Sequence, residues 1–320
     1  MKQNPKMKPL LFERMKKLLG DDFENYLKIL EEKSPKSIRC NTLKISPEEL
    51  KKRLIKKGWK IEQPFKDYLE VMIVKNKLEP GELGRSLEHL LGYYYVQEIA
   101  SMIPVLVLKP EKDQMVLDLC AAPGSKTTQT AAKMENTGTI IANEVSLGRV
   151  KILASNTERC GVTNMIITKK EGSFLCRKLK DLEIKFDKIL IDAPCSGEGT
   201  LRSSKMTYKM WNIHTVKKLS KVQKNLLAFA IEIIKPGGEI VYSTCTHAPE
   251  ENEEIVNFIL KKFKNMEVVK INIPLKTRPG IQRWEDKEYH EDVKYSCRIY
   301  PQDNNTDGFF IAKLKKKNEN

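Results

Sequence analysis

Between residues 9 and 32 the apolar positions recur with helical spacing. Leu11, Met15, Leu18 and Leu19 form one face, and Phe23, Tyr26, Leu27 and Leu30 another, on either side of a Gly20-Asp21 break. Two helices are expected there. IRCNTL (38–43) reads as a strand, and in the Ser46-Pro47-Glu48-Glu49 that follows Ser46 can cap a helix and Pro47 can take its first position, the helix ending at Gly58. A further strand, LEVMIV (69–74), completes a small α+β unit. The loop EPGELG (79–84) and the segment HLLGYYYVQEIASM (89–102) then lead into a different pattern. The boundary is placed near residue 95, giving an amino-terminal region, 1–95, and a second domain, 96–320.

From residue 115 short apolar runs alternate with helical periods. MVLDLC (115–120), TIIANE (139–144), MIIT (165–168), FDKILIDA (186–193) and EIVYSTC (239–245) read as strands. Helices are expected from Lys126, from Leu147, over 213–234 and from Glu250. Strands joined by helical crossovers build an α/β, Rossmann-like domain with a mostly parallel sheet covered on both faces. Ligands in such sheets bind beyond the carboxyl ends of the strands, so the functional search narrows to the residues just after each one.

Composition changes the picture in three ways. The 320 residues carry 57 Lys and Arg against 42 Asp and Glu, a net +15, and residues 1–60 alone hold 17 against 8. More than half of the excess therefore sits in the first fifth of the chain, as a site for a polyanion such as RNA requires. No apolar run approaches the ~18 residues of a membrane span, and the opening MKQNPKMKPLLFERMKK has no continuous apolar core of a secretory leader, so a cytoplasmic protein is expected. Seven cysteines with no C-x-x-C pair argue against a disulfide framework or a zinc knuckle, and Cys245 with His247 lacks companions at ligand spacing, so no metal is expected.

The first strand runs into Asp118-Leu-Cys120-Ala121-Ala122-Pro123-Gly124-Ser125-Lys126. A turn of small residues at a helix start lets backbone amides approach a ligand and favours its anionic end. One glycine is too few for G-x-G-x-x-G, and the spacing fails G-x-x-x-x-G-K-[ST]. Glu144 ends the second strand at the distance from Gly124 where an acidic residue accepts hydrogen bonds from ribose hydroxyls, which points to an adenosine derivative. Glu171, beside Gly172 after the third strand, stands where an acid could meet the adenine amine. The fourth and fifth strands end in Asp192-Ala-Pro194-Cys195-Ser and Ser243-Thr-Cys245-Thr-His. If these strands are neighbours, both cysteines reach one cleft.

At YYVQEIASM (94–102), VLDLCAAPGSKTTQ (116–129), ILIDAPCSGEGTLR (189–202), IKPGGEIVYSTCTHAPEENE (234–253) and DGFFIAKL (307–314) the sequence resembles the Nol/Nop/Sun RNA (cytosine-5) methyltransferases. Residues 38–60 also look like that family's amino-terminal RNA-binding unit. The resemblance implies S-adenosylmethionine as cofactor, held by residues 120–126 with Glu144, Arg149, Glu171 and Asp192. It further implies Cys245 as nucleophile, Cys195 assisting release, and Lys126 orienting Asp192 and the methionine carboxylate. Ser125 stands where Gly is frequent, and Glu144 and Glu171 where Asp is common.

The implied chemistry accounts for two cysteines. Carbon 5 of cytosine becomes nucleophilic only after a thiolate adds at carbon 6, and addition needs a proton or strong hydrogen bond at the ring nitrogen, a role open to Asp192 in its protonated form. The target base must leave any stack to reach the cleft. Two alternatives stay open: a DNA cytosine-5 methyltransferase using Pro194-Cys195, and an RNA-binding assembly factor that keeps the fold without turnover. Transfer RNA is favoured over ribosomal RNA because the amino-terminal unit is compact, and a monomer is expected.

Overall fold

The computed structural model describes residues 7–318; the first six residues of the opening segment lie outside them. Helices Pro9–Leu19 and Phe23–Glu31 flank a 3-10 turn at Gly20–Asp22, as the apolar spacing requires. Their apolar faces, Leu11, Met15, Phe23 and Tyr26 among them, pack on Leu201, Tyr208, Trp211 and Tyr300, residues from beyond the small α+β unit. Burying side chains of this size contributes about 1.5 to 3 kcal/mol each. The two helices thus adhere to the second domain although they precede the small sheet in the chain.

That small sheet is antiparallel, with strand order Ile61–Glu62, Val71–Val74, Lys36–Cys40, Tyr94–Val96. Helix Pro47–Lys56 covers it, and Ser46 Oγ accepts from the Glu49 amide at 3.2 Å, the capping expected from the sequence. The strand expected from residue 69 begins at Val71, and the EPGELG segment runs into a short helix, Glu82–Arg85.

The large sheet has nine strands. Met115–Asp118, Thr139–Asn143, Met165–Thr168, Phe186–Asp192 and Ile234–Thr244 run parallel, in the spatial order third, second, first, fourth, fifth. The remaining four, Met266–Val269, Arg278–Pro279, Cys297–Ile299 and Phe309–Lys316, are antiparallel, and Phe309–Lys316 pairs directly with the fifth parallel strand. This half is absent from the sequence reading: its strands are short or, in FFIAKLKK, weighted with lysine. Helix Ile99–Leu108, with nine of its ten residues buried, lies on one face against Val116, Leu190 and Val241. Helix Ile213–Ile233 covers the other through Leu226, Leu227 and Ile231. Among the described residues no helix is long and apolar enough to cross a membrane.

Arg39 joins the two sheets. It is 1% exposed and donates to Gln97 Oε1, to the Ser125 carbonyl at 2.6 Å and to Thr128 Oγ1 at 2.8 Å, with its guanidinium over the Tyr95 ring. One side chain of the small sheet thereby ties down the first turn of helix Ser125–Lys133.

Candidate active site

The turn after the first parallel strand is shaped by Gly124, whose φ of +104° is a left-handed conformation that a side chain would strain. Its carbonyls are taken from outside: Ala122 accepts from Arg149 at 2.5 Å, and Pro123 from Asn156 at 2.9 Å and the Tyr95 hydroxyl at 3.2 Å. Asp118 accepts from Thr127 Oγ1 at 2.7 Å, bracing the strand end against the new helix. Burial pushes the Asp118 carboxyl up to about 6, against the opposing pull of Thr127.

Register brings the next two strand ends together. Asp192 pairs with Ser243 across the fourth and fifth strands, so the segments beyond them share one rim. Cys195 Sγ and Cys245 Sγ stand 3.2 Å apart. Asp192 accepts from Lys126 Nζ at 2.7 Å on one oxygen and from Ser243 Oγ at 2.9 Å on the other; Lys126 also donates to Ser101 Oγ at 2.9 Å. Donors on both oxygens suit Asp192 as an acceptor, whereas the sequence reading gave it a proton to donate. The hydrogen bond to Cys245, then burial, raise the Cys195 thiol well above the ordinary range.

Two cavities open at this rim. One, of about 420 Å³, is lined by Leu119, Glu144, Val145, Glu171, Val222 and Leu226 together with Cys195. The other, of about 370 Å³, lies between Tyr95 and Gln97 of the small sheet's end and Lys126, Phe309, Ala121, Pro123 and Ser125. Cys120, Ala122, Arg149, Asp192 and Cys245 line both. The thiol of Cys245 is therefore reachable from either chamber. Of the residues that the resemblance implies for cofactor binding or catalysis, Gly124 lines neither, and it acts through backbone shape.

The larger chamber fits an adenosine-bearing cofactor on its own features. Glu144 is 3% exposed, yet its carboxylate faces the chamber, held by Arg149 at 3.0 Å and by the Ser146 amide at 2.9 Å. Apolar Leu119, Val145, Val222 and Leu226 offer a surface for a flat base, and the helix start at Ser125 and Lys126, which lines the adjoining smaller chamber, favours an anionic end. Glu171 also lines this chamber, but its two oxygens already accept from the Ser173 and Phe174 amides at 3.0 and 2.8 Å, capping helix Gly172–Asp181. His247 is buried against Tyr26 and Tyr300, and burial lowers it to about 3, so it is neutral.

Residues 105–315 match the family model described as 16S rRNA methyltransferase RsmB/F, and residues 9–99 match the N-terminal domain of 16S rRNA methyltransferase RsmF. The chain belongs to the RsmB/F methyltransferase family. It is 41% identical over 312 residues to a tRNA (cytosine(49)-C(5))-methyltransferase of Pyrococcus abyssi, covering 97% of each chain. With a ribosomal RNA small subunit methyltransferase F of Aliivibrio fischeri it shares 40% over 284 residues, spanning 88% of this chain but only 58% of that relative. A crystal structure of NSun6 from Pyrococcus horikoshii with SFG superposes with a TM-score of 0.83 at 28% identity, covering 98% of this chain and 99% of that one. A methyltransferase homolog of the same organism gives 0.82 at 32%, covering 97% and 100%. The Rossmann-like fold and the use of S-adenosylmethionine follow from this membership.

Ser101 and Ser243, which complete the hydrogen bonds of Lys126 and Asp192, were not singled out from the sequence. Neither was Phe309, over whose ring Lys126 lies. All three fall inside segments that carry the family resemblance, which was the one signal available for them.

Proposed function

We propose that this protein methylates carbon 5 of cytosine in RNA, with Cys245 as nucleophile. The observation that carries the reading is the pair of sulfurs 3.2 Å apart, set beside Lys126 and Asp192 where two cavities meet. Bound in the larger chamber, S-adenosylmethionine supplies an electrophilic methyl group. The residues for holding it there are Cys120, Ala122, Glu144, Arg149, Glu171 and Gly172, while Ala121, Pro123, Ser125 and Lys126 of the same turn reach it from the smaller chamber.

The smaller chamber receives the flipped base. Cys245 adds at carbon 6 as the thiolate, its proton having passed to solvent, forming a sulfur–carbon bond and moving the carbon 5–carbon 6 π electrons toward carbon 5. The contact between the two sulfurs, together with burial, favours the thiol form of Cys195 in the resting site. Lys126 and Asp192 accompany the charge that develops on the ring, Lys126 as donor and Asp192 as the acceptor that holds it in place. After methylation the carbon 5 proton must leave before the sulfur–carbon bond can break. Cys195, 3.2 Å from Cys245 in the resting site, is assigned to take it once its own thiol proton has passed to solvent, and the carbon 5–hydrogen electron pair then re-forms the ring double bond and expels the Cys245 thiolate.

Transfer RNA is favoured as the substrate. The transfer RNA relative aligns along nearly its whole length, whereas the chain spans little more than half of the ribosomal RNA relative. The amino-terminal unit, with its concentrated positive charge, supplies the docking surface for the RNA. A cytoplasmic monomer belongs to the same proposal. The test is methyl transfer from labelled cofactor to a transfer RNA transcript, followed by digestion to nucleosides. Label in 5-methylcytidine is expected. Label in DNA instead would favour the DNA enzyme, and a folded, cofactor-binding protein that labels neither would favour an assembly factor.

A further inference from the structure

The Cys195 segment is held by a buried polar pair to which the chemistry above assigns no part. Gln223 and Glu251 are both 0% exposed. Gln223 Nε2 donates at 2.8 Å to the Pro194 carbonyl and at 2.8 Å to Glu251 Oε2, which also accepts from the Ser196 amide at 3.1 Å. The peptide groups on both sides of Cys195 are thus anchored to one unit. Ser196 Oγ and Thr246 Oγ1, 2.8 Å apart, connect the residues that follow the two cysteines, and the Gly199 amide donates to the Cys245 carbonyl at 2.9 Å. Glu251 is itself fixed by the Tyr242 hydroxyl, which donates to its carbonyl at 2.6 Å.

Its sequence neighbours show what a merely structural acid does in this turn. Glu250 pairs with Arg14, Glu253 with Arg298 and Glu254 with Lys224. Glu251 instead receives an amide N–H and a carboxamide, and a carboxyl buried in that way is costly to keep. Burial, with a smaller push from Glu198, lifts it to about 8 against the pull of Ser196 and Gln223, so near neutrality Glu251 itself adds no full charge to the site. We propose that Glu251 is the positioning residue that, with Gln223, clamps the Cys195 segment against Cys245, and that the clamp serves release of the RNA more than attack upon it. The inference rests on the assignment of the two cysteines under Proposed function. It follows from where the anchors fall: Gln223 and Glu251 bracket Cys195, whereas Cys245 directly follows strand Ile234–Thr244 and neither of them bonds to it.

The test compares wild-type protein with Glu251→Ala, Glu251→Gln and Gln223→Ala on a transfer RNA transcript with S-adenosylmethionine. Methylated RNA and denaturant-resistant protein–RNA adduct are followed over time, with cofactor affinity and melting temperature measured alongside. In Glu251→Ala first-turnover methylation is expected within about threefold of wild type, while release slows tenfold or more and the adduct accumulates. Glu251→Gln keeps an oxygen for the Ser196 amide and should restore most of the release rate. Wild-type release in a folded Glu251→Ala protein overturns the proposal, as does equal loss of methylation with no adduct. Should Glu251→Ala not fold, Gln223→Ala must itself accumulate adduct, and its failure to do so is equally decisive. Cys245→Ser is run beside them: an adduct that survives it refutes the nucleophile assignment, whereas its loss together with fast release in Glu251→Ala refutes the clamp alone.

Discussion

Arg39→Met removes a buried side chain through which the small sheet grips the start of the helix that follows the cofactor turn. The guanidinium donates to Gln97, Ser125 and Thr128. Hydrogen bonds from a charged group contribute about 1.5 to 3 kcal/mol each, so three amount to roughly 5 to 9 kcal/mol before the cost of burial. That cost is visible in the group itself: desolvation brings Arg39 down from 12.5 to about 10. At 1.36 kcal/mol per pKa unit this offsets roughly 3 kcal/mol. Methionine fills much of the volume but leaves the Ser125 carbonyl and Gln97 Oε1 without their donor, and a net loss of about 3 kcal/mol is expected. In a chain of this length that lowers Tm by roughly 4 °C. Because Ser125 belongs to the cofactor turn, affinity for S-adenosylmethionine should fall as well. Urea denaturation and calorimetry with the cofactor measure both. Stability within 0.5 kcal/mol of wild type, or a stability loss with unaltered cofactor affinity, would refute the reasoning that the two units are coupled through this residue.

Glu144→Ala should weaken S-adenosylmethionine binding by about 1.5 to 3 kcal/mol, roughly 10- to 150-fold, without unfolding the protein; calorimetry showing wild-type affinity would remove it from the site. Charge reversal of Lys51, Lys52, Lys56 and Lys57 should weaken RNA binding and flatten its dependence on salt, and an unaltered slope would mark these lysines as an ordinary solvated face. Lys57 already pairs with Glu88 at 3.0 Å and Lys51 bonds Gln63 at 2.8 Å, so most of the effect should come from Lys52 and Lys56. Asp118 has an ordinary value of 3.8 and a folded value of about 6, so the folded state holds its proton more tightly. Its contribution is fully present below about pH 4 and is lost as pH rises through about 6. Asp118→Asn should therefore flatten the stability profile over that window, which melting temperatures at pH 4 to 8 will reveal.

Much of the parallel half was legible because each strand is a short apolar run followed by a helix start, as in VLDLCAAPGSK and ILIDAPCSG. The same alternation placed Asp192, Cys195 and Cys245 near one rim, and the register of Asp192 with Ser243 brings them to one site. The antiparallel half was not legible, since Met266–Val269 and Cys297–Ile299 are too short for periodicity to mark and lysines interrupt the pattern of Phe309–Lys316. Long-range polar partners escaped for a different reason. Arg39 and Ser125 are 86 positions apart, and Ser196 and Glu251 are 55 apart; nothing local in either segment announces the other. Glu171 shows the converse limit: its place in the sequence suggested an adenine contact, while the structure also gives its carboxylate a helix to cap.

The most direct measurement is a denaturing gel of wild-type, Cys245→Ser and Cys195→Ser protein, each incubated with labelled transfer RNA and S-adenosylmethionine. With Cys245 as nucleophile and Cys195 acting in release, Cys245→Ser should show neither adduct nor methylation, because a serine hydroxyl does not add to the ring at neutral pH. Cys195→Ser should retain a shifted protein–RNA band that persists. An adduct kept in Cys245→Ser and lost in Cys195→Ser would contradict the account and move the nucleophile to the fourth strand.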